Sequence, residues 1–221
     1  MLQKEAVVPE MIDLIKELQR DSLFKNHVLV GGTALSLQLG HRTSTDIDLF
    51  TPEPQNAVTI IDYFKKNYIN VDIQIAKDYF IRVLVNDIKI ELVHYNEKEM
   101  DKPKEEDGIR FSDLNEIAAM KLDAITKRTR ARDFIDIAYL LKEMPLQKMF
   151  ELYKEKYGSI SPLYMKRTLL IKSRNIKDNE WLVDGIRMLK YDIKPEDVPK
   201  FIEQKIEEYN KSINIAKQTD I

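Results

Sequence analysis

The feature that most constrains this chain is an apolar run that ends in two glycines and is followed by a pair of aspartates. Val28-Leu29-Val30 has the pattern of a short buried strand, and Gly31-Gly32 interrupts it. Asp46-Ile47-Asp48 then opens a second apolar run. Aspartate is a poor strand former, so placing two of them in one strand is costly unless something positive binds there.

Side-chain alternation places both aspartates on one face of a predicted strand over residues 46–50. Asp46 and Asp48 then point one way, whereas Ile47 and Leu49 point into the core. Two carboxylates about 6–7 Å apart on one strand face can together bind Mg²⁺, which prefers oxygen ligands and keeps some of its waters. The alternative is a polar edge strand whose carboxylates are only solvated.

Composition favours a globular protein and excludes several kinds of site. The 221 residues suffice for a full core, with 43% apolar and 33% charged residues, and a net charge of −2 provides no global attraction for nucleic acid. The absence of cysteine excludes disulfide and thiol chemistry, and three scattered histidines argue against a zinc site. Because no apolar run reaches membrane-spanning length and no signal-peptide pattern is present, we expect no membrane association and a cytoplasmic location.

The first half of the chain alternates helix and strand patterns. Its predicted helices cover 9–20, 33–39 (ended by Gly40) and a segment from residue 57; its predicted strands cover 27–30, 46–50, a segment from 71, and a hairpin of 80–85 and 88–95 across Asn86-Asp87. The strongly charged residues 96–110, with Pro103 and Gly108, predict an exposed loop.

After Ser112 the pattern predicts helices alone. One runs to about residue 128, a second covers 131–143, and prolines divide the remainder into three or four more. We therefore expect an α+β fold, in which a small mixed β-sheet flanked by helices is followed by a C-terminal helical bundle. The predicted domains are residues 1–110, the catalytic core, and 111–221, a helical domain that completes the active site.

The turn at Gly31-Gly32-Thr33 is suited to hold a phosphate group. A strand that ends in glycines and opens a helix presents backbone N–H groups and the positive end of the helix dipole, and glycine permits close approach. Most Gly-Gly pairs, however, serve only as turns. Arg42 and Ser44 could contact phosphate oxygens, or Arg42 could simply neutralise the carboxylates that follow it.

Glu91 is a candidate third carboxylate. Ile90 and Leu92 occupy the opposite face of its strand, so Glu91 would complete an acidic cluster if that strand neighbours the Asp46 strand. Three such charges repel one another without a counter-ion. Two Mg²⁺ ions would relieve the repulsion and would clamp the attacking and leaving oxygens of a phosphoryl displacement. The alternative is an ordinary solvated strand residue.

Cationic and acidic side chains recur where the first two helices of the second half meet. Lys121 and Arg128 are seven residues apart, so they share a helix face and could meet a triphosphate. Asp133 and Asp136 lie near the start of the next helix, where acidic side chains are favourable in any case. An ordinary charged helix surface is the alternative.

In order and spacing, these segments together resemble the AbiEii/AbiGii nucleotidyltransferases. That family belongs to the polymerase-beta-like nucleotidyltransferase superfamily and supplies the toxins of abortive-infection, type IV-like toxin–antitoxin pairs. The resemblance is carried by residues 29–35, 41–49, 121–128 and 132–136, and it covers roughly residues 25–143.

The resemblance implies Mg²⁺-dependent transfer of a nucleoside monophosphate from an NTP to a hydroxyl group. In that scheme Asp46, Asp48 and Glu91 bind the metal, Glu91 also helps to activate the attacking hydroxyl, and Lys121 contacts the nucleotide phosphates. Asp136 is the remaining catalytic candidate. With the arguments above, the nucleotide-binding candidates are Gly31, Gly32, Thr33, Arg42, Ser44, Arg128, Arg132 and Asp133.

The acceptor and partners are implied only by the resemblance, which points to RNA, especially tRNA ends, or to a protein hydroxyl, and to a cognate antitoxin. Basic residues at 166–167 and 172–174 could follow a phosphate backbone, although a solvated helix surface explains them equally well. Two alternatives stay open: a nucleotidyltransferase for small molecules of the antibiotic type, and a non-catalytic nucleotide-sensing or interaction module that binds NTP without releasing pyrophosphate.

Overall fold

A computed structural model describes residues 1–98, 100–177, 181 and 186–219 of the chain. The backbone forms two compact units, one of residues 1–113 with 186–189 and the other of residues 114–185 with 190–221. The sequence predicted a boundary between residues 110 and 111, and the structure places it after Asp113. Residues 186–189 also belong to the first unit, although they come later in the chain. The assignment of functions to two domains stays a prediction.

The first unit contains one mixed sheet, as the sequence predicted. Its helices are α1 (Pro9–Arg20), α2 (Gly31–Leu39) and α3 (Ala57–Asn67), and its strands in the described residues are β1 (Val28–Leu29), β2 (Asp46–Thr51), β3 (Val71–Lys77), β4 (Phe80–Val85), β5 (Ile88–His94), β6 (Lys104–Glu106) and β7 (Ile109–Phe111). The strand order is β3-β4-β5-β2-β1-β7-β6. The pairs β2–β5 and β1–β7 are parallel, and the others are antiparallel.

One face of the central strands is completely buried, and this fixes the strand register. Ile47 and Leu49 of β2 pair with Ile90 and Leu92 of β5, and all four are fully buried. Each such side chain contributes about 1.5–3 kcal/mol through burial. Because a shift of one residue would expose all of them, the same register holds Asp46, Asp48 and Glu91 on the opposite face.

The hairpin of β4 and β5 forms as predicted, but the prediction of an exposed loop over residues 96–110 is wrong in its second part. Asn86 and Asp87 both have positive φ (48° and 65°), which matches the twist of a two-residue hairpin. A second hairpin, β6–β7, turns at Asp107-Gly108, and Ile109 is fully buried where β7 continues the sheet beside β1. The side chains of β6 are mostly exposed, so its sequence shows no alternation of apolar and polar residues.

The second unit is helical, in agreement with the predicted bundle. Its helices in the described residues are α4 (Leu114–Lys127), α5 (Ala131–Glu143), α6 (Leu146–Tyr157), α7 (Pro162–Arg174) and α8 (Val198–Thr219). Helix α4 packs against α5, α6 and α7, while α8 packs against α5, α6 and α7. None of the helices in the described part of the chain combines the length and the apolar character that crossing a membrane requires.

Candidate active site

Gly31 and Gly32 form the beginning of α2, although the sequence predicted a helix that begins only at Thr33, and this glycine turn brings a carboxylate against the helix start. Gly31 begins the helix with φ at +69°, a backbone conformation that side chains disfavour. A Cβ atom placed on Gly31 would lie 2.6 Å from Asp48 Oδ2, and the N–H of Val30 donates to the carbonyl oxygen of Asp48 at 2.9 Å. Glycine is therefore needed both for the backbone conformation and for the close approach of Asp48.

Three predicted nucleotide-binding residues surround the next glycine. A Cβ atom on Gly32 would lie 2.5 Å from Arg42 Nη2 and 3.6 Å from Ser44 Oγ. Thr33 Oγ1 lies 2.8 Å from Ser44 Oγ and also contacts the carbonyl oxygen of Asp46. Since Thr33 and Arg42 are 0% and 1% exposed, in this structure they fix the shape of the turn. Their contact with a nucleotide stays a prediction.

Five charged side chains on the exposed face of β2, β4 and β5 form what we call the sheet cluster: Asp46, Asp48, Arg82, Lys89 and Glu91. Parallel pairing places Asp48 directly beside Glu91 and Asp46 directly beside Lys89. The strand adjacency on which the predicted acidic cluster depended is therefore present. The side chains of Asp46 and Glu91 are each 19% exposed, so solvent still reaches both.

Two carboxylates of the sheet cluster, those of Asp46 and Glu91, are already paired with cations from the protein. Lys89 Nζ lies 2.9 Å from Asp46 Oδ2 and 3.8 Å from Glu91 Oε1. Arg82 Nε donates to the same Glu91 oxygen at 2.8 Å, and Arg82 Nη2 forms an ion pair with it at 2.8 Å. Neither Lys89 nor Arg82 was a sequence-based candidate, although Lys89 lies two residues before Glu91 and therefore shares its strand face.

The donor chemistry suits a hard cation, but the three carboxylates do not converge on one point. Among the described residues, no group of three or more histidine, cysteine or acidic side chains is arranged to hold a metal ion. The Glu91 carboxylate instead accepts from Arg82. An ammonium group nevertheless lies between Asp46 and Glu91, so this position already attracts positive charge. By donor type these carboxylates suit a divalent cation, but in the described conformation the position is taken by the Lys89 ammonium group.

The predicted residues of the second unit form a separate set of ion pairs, which we call the helical cluster: Lys121, Arg128, Asp133 and Asp136. Lys121 Nζ lies 2.9 Å from Asp133 Oδ1 and 2.6 Å from Asp136 Oδ2. Arg128 Nε donates to Asp133 Oδ2 at 2.7 Å, and its Nη2 donates to Oδ1 at 3.1 Å. Lys121 and Arg128 thus share Asp133 as a partner, and the predicted contact of their shared helix face with a triphosphate stays a prediction.

Burial distinguishes the members of the helical cluster. Both aspartate side chains are 0% exposed and that of Lys121 is 7% exposed, whereas that of Arg128 is 44% exposed. Burial by itself raises the pKa of Asp133, but the Lys121 ammonium and the Arg128 guanidinium outweigh it and hold this pKa at about 2. Arg128 is the member that solvent reaches most easily. Arg132, also a nucleotide-binding candidate, is half-buried at the start of α5.

Three basic residues of α7 have partners within the second unit. Lys172 Nζ donates to the carbonyl oxygens of Ile125 and Thr126 at the end of α4, where a positive charge stabilises the helix dipole. Arg174 pairs with Glu203 at 2.5 Å, and Lys166 donates to Asn210 at 2.6 Å. These contacts favour a structural role for the three side chains over the predicted path for a phosphate backbone.

Comparison with known proteins identifies the family. The model of the family described as "Nucleotidyl transferase AbiEii toxin, Type IV TA system" matches residues 13–204 of this chain. The chain belongs to this family. The AbiEii resemblance seen in the sequence is therefore confirmed, and the protein is a nucleotidyltransferase of a toxin family. The match extends well beyond the motifs and includes most of the helical unit.

Individual relatives match this chain over most of its length, and the solved structures among them share its fold. The Aquifex aeolicus (strain VF5) protein aq_aa25 is 29% identical over 211 residues, which cover 88% of this chain and 97% of that protein. JHP933 from Helicobacter pylori has a TM-score of 0.52 at 20% identity and covers 96% of this chain and 99% of its own. MenT4, a nucleotidyltransferase toxin from Mycobacterium tuberculosis H37Rv, has a TM-score of 0.54 at 13% identity, with 89% and 80% covered. At these identities the two structures establish a shared fold.

Proposed function

We propose that this AbiEii-family enzyme uses the sheet cluster and the glycine turn to transfer a nucleoside monophosphate from an NTP to a hydroxyl group. The observation that carries the proposal is the position of Asp48. Its carboxylate lies against Gly31 on one side, and its strand position pairs with Glu91 on the other. A triphosphate bound at the helix start would therefore lie beside acidic groups that suit a divalent cation.

In this proposal Asp46, Asp48 and Glu91 hold Mg²⁺. When bound, the metal would supply positive charge for the phosphate oxygens and would lower the pKa of the acceptor hydroxyl. The acceptor oxygen forms a bond to the α-phosphorus, the bond to the bridging oxygen of pyrophosphate breaks, and the hydroxyl proton is released to water. The backbone N–H groups after Gly31 and Gly32 orient the phosphates, so positioning and charge neutralisation account for most of the catalysis.

The helical cluster has a supporting role in the proposal. Arg128 is its candidate phosphate ligand, because its guanidinium is partly exposed and Asp133 holds it through two hydrogen bonds. Lys121 is enclosed by Asp133 and Asp136, so we assign it mainly to fixing the position of Asp133. Asp136 pairs with the same ammonium group, so we expect it to affect activity by holding Lys121, and through it Asp133, in place.

The family description also favours a biological role and partners. We propose that the protein is the toxin of a type IV toxin–antitoxin pair, with an NTP as donor substrate and a cognate antitoxin. The acceptor in the proposal is RNA, such as a tRNA end, or a protein hydroxyl.

The test is a label-transfer experiment. The protein is incubated with Mg²⁺, each of the four NTPs labelled at the α-phosphate, and a cell extract, and the labelled products are separated into RNA, protein and small molecules. We expect one NTP to label a macromolecular fraction. Asp48→Asn should reduce transfer at least about a thousandfold, because it removes a charge that the transition state requires.

Asp72→Asn is the matched control, since Asp72 is an exposed aspartate on β3 of the same sheet. The control should transfer label at the rate of the unaltered protein. Near-normal transfer by Asp48→Asn would contradict the assignment of the sheet cluster. Label confined to small molecules would contradict the macromolecular acceptor, and NTP binding without release of pyrophosphate would contradict the transfer itself.

A further inference from the structure

We propose that Lys89 is a built-in counter-ion that occupies the acidic site of the free enzyme and must be displaced when a divalent cation binds. The inference rests on the proposed function, because it assumes that Asp46, Asp48 and Glu91 are the cation ligands. It adds a residue that competes with the metal for the same carboxylate oxygens.

The position of Lys89 follows from strand pairing. Parallel pairing aligns Lys89 with Asp46 and Glu91 with Asp48, so an ammonium group is delivered to the same face as three carboxylates. Its nitrogen lies 2.9 Å from Asp46 Oδ2 and 3.8 Å from Glu91 Oε1. Without a cation at this position the carboxylates would repel one another, and Lys89 relieves this repulsion while the metal is absent.

Lys89 rather than Arg82 is the cation that can leave. Arg82 makes a hydrogen bond and an ion pair to Glu91, and its guanidinium carbon lies 5.3 Å from the centre of the Phe80 ring, so it is held from two sides. Lys89 is a flexible chain with a strongly hydrated ammonium group, and its side chain is 28% exposed. Moving it into water therefore costs little, whereas leaving it beside a divalent cation costs electrostatic repulsion.

Binding of Mn²⁺, a paramagnetic substitute for Mg²⁺, tests the competition directly. Free Mn²⁺ is measured by electron paramagnetic resonance as the ion is titrated into the unaltered protein and its variants. We expect Lys89→Met to bind Mn²⁺ about fivefold more tightly, the size expected when one partly exposed ion pair no longer has to be broken. Lys89→Arg keeps the positive charge and should not tighten binding.

Lys205→Met is the matched control. The Lys205 side chain is 23% exposed and pairs with Glu208 at 2.8 Å, so the variant removes a similar ion pair from α8. Its Mn²⁺ affinity should equal that of the unaltered protein. If Lys89→Met binds Mn²⁺ no more tightly than this control, Lys89 does not compete and the inference is overturned.

A second measurement follows the lysine itself. Acetylation with an amine-reactive ester, read by peptide mass spectrometry, should modify Lys89 several-fold faster in saturating Mn²⁺ than without metal, while the rate at Lys205 stays constant. An unchanged rate at Lys89 would show that the ammonium group is not displaced, which would also overturn the inference.

Asp48→Asn separates this inference from the function on which it depends. If Asp48→Asn weakens Mn²⁺ binding but Lys89→Met does not strengthen it, the metal site stands and only the role of Lys89 fails. If Mn²⁺ binding is absent from the unaltered protein, or is indifferent to Asp48, the proposed metal site and the inference fail together.

Discussion

The sheet cluster and the helical cluster are built from the same kinds of residue but differ in charge balance and in burial. The sheet cluster sets three carboxylates against two cations, and its ion-paired side chains are between 19% and 34% exposed. The helical cluster sets two carboxylates against two cations, and both carboxylates are 0% exposed. Solvent reaches the carboxylates of the first, whereas the second is closed around its own lysine.

This difference indicates that motif residues of one family can have different roles, some in binding a ligand and others in stabilising the fold. A partly exposed cluster suits ligand binding, since a cation from solvent can reach its carboxylates. A buried and balanced cluster gains nothing from a ligand and loses much when one partner is removed. We therefore expect substitutions in the two clusters to separate activity from stability.

The largest expected effect is on the helical cluster. Lys121→Met should lower the free energy of unfolding by about 3–5 kcal/mol, because it leaves two buried carboxylates without their shared cation. Chemical denaturation measures the change. Lys127→Met is the control on the same helix, since its side chain is 70% exposed and pairs only at the surface with Asp123, so it should change stability by less than about 0.5 kcal/mol. Equal stability of the two variants would contradict the structural role of the cluster.

A smaller effect comes from the same chemical change in each cluster. Asp133→Asn should lower the free energy of unfolding by about 2 kcal/mol at neutral pH, because the lowered pKa of Asp133 shows that the folded protein stabilises its charged form. Asp48→Asn should change stability by less than about 1 kcal/mol, because Asp48 is only partly buried and a partly exposed charge contributes little. Thermal unfolding of both variants without metal compares them, and losses of equal size would remove the distinction between the clusters.

The pH dependence sharpens this point. A carboxyl whose pKa is lower in the folded protein contributes its stability above the unfolded value, and that contribution is lost as the pH falls. For Asp133 the loss should occur between about pH 4 and pH 2, given the unfolded value of 3.8 and the folded value of about 2. Across this range, the free energy of unfolding should fall less steeply with decreasing pH for Asp133→Asn than for the unaltered protein.

The smallest expected effect lies outside both clusters, at His27. Burial lowers the pKa of its imidazole, so the folded protein disfavours the charged form and stability should fall as the pH drops below 6.5. Denaturation at pH 7 and at pH 5.5 should show a smaller difference for His27→Gln than for the unaltered protein. His94→Gln, whose ring meets the Pro52 carbonyl in an exposed contact, is the control and should keep the difference.

Elements with strong local patterns were predictable. Helices α1 and α5 have the bounds that the sequence predicted, and Gly40 ends α2 in the left-handed conformation. The β6–β7 hairpin was missed because β6 is exposed and charged, while β7 is stabilised by β1, which lies far away in the sequence. Its Asp107-Gly108 pair was a turn signal that the surrounding charge obscured.

The sequence by itself determined which side chains of the site share a strand face, because a strand alternates its side chains whatever its neighbours are. Ile47, Leu49, Ile90 and Leu92 had to be buried, so Asp46, Asp48 and Glu91 had to lie opposite. The predicted hairpin also aligned Arg82 with Glu91, because the two strands are joined by a short turn. Only the tertiary structure decided the other pairings. Long-range pairing of β2 with β5 brought Lys89 to Asp46, and helix packing enclosed Lys121 between two aspartates, because partners distant in sequence are selected by the packing of the whole core.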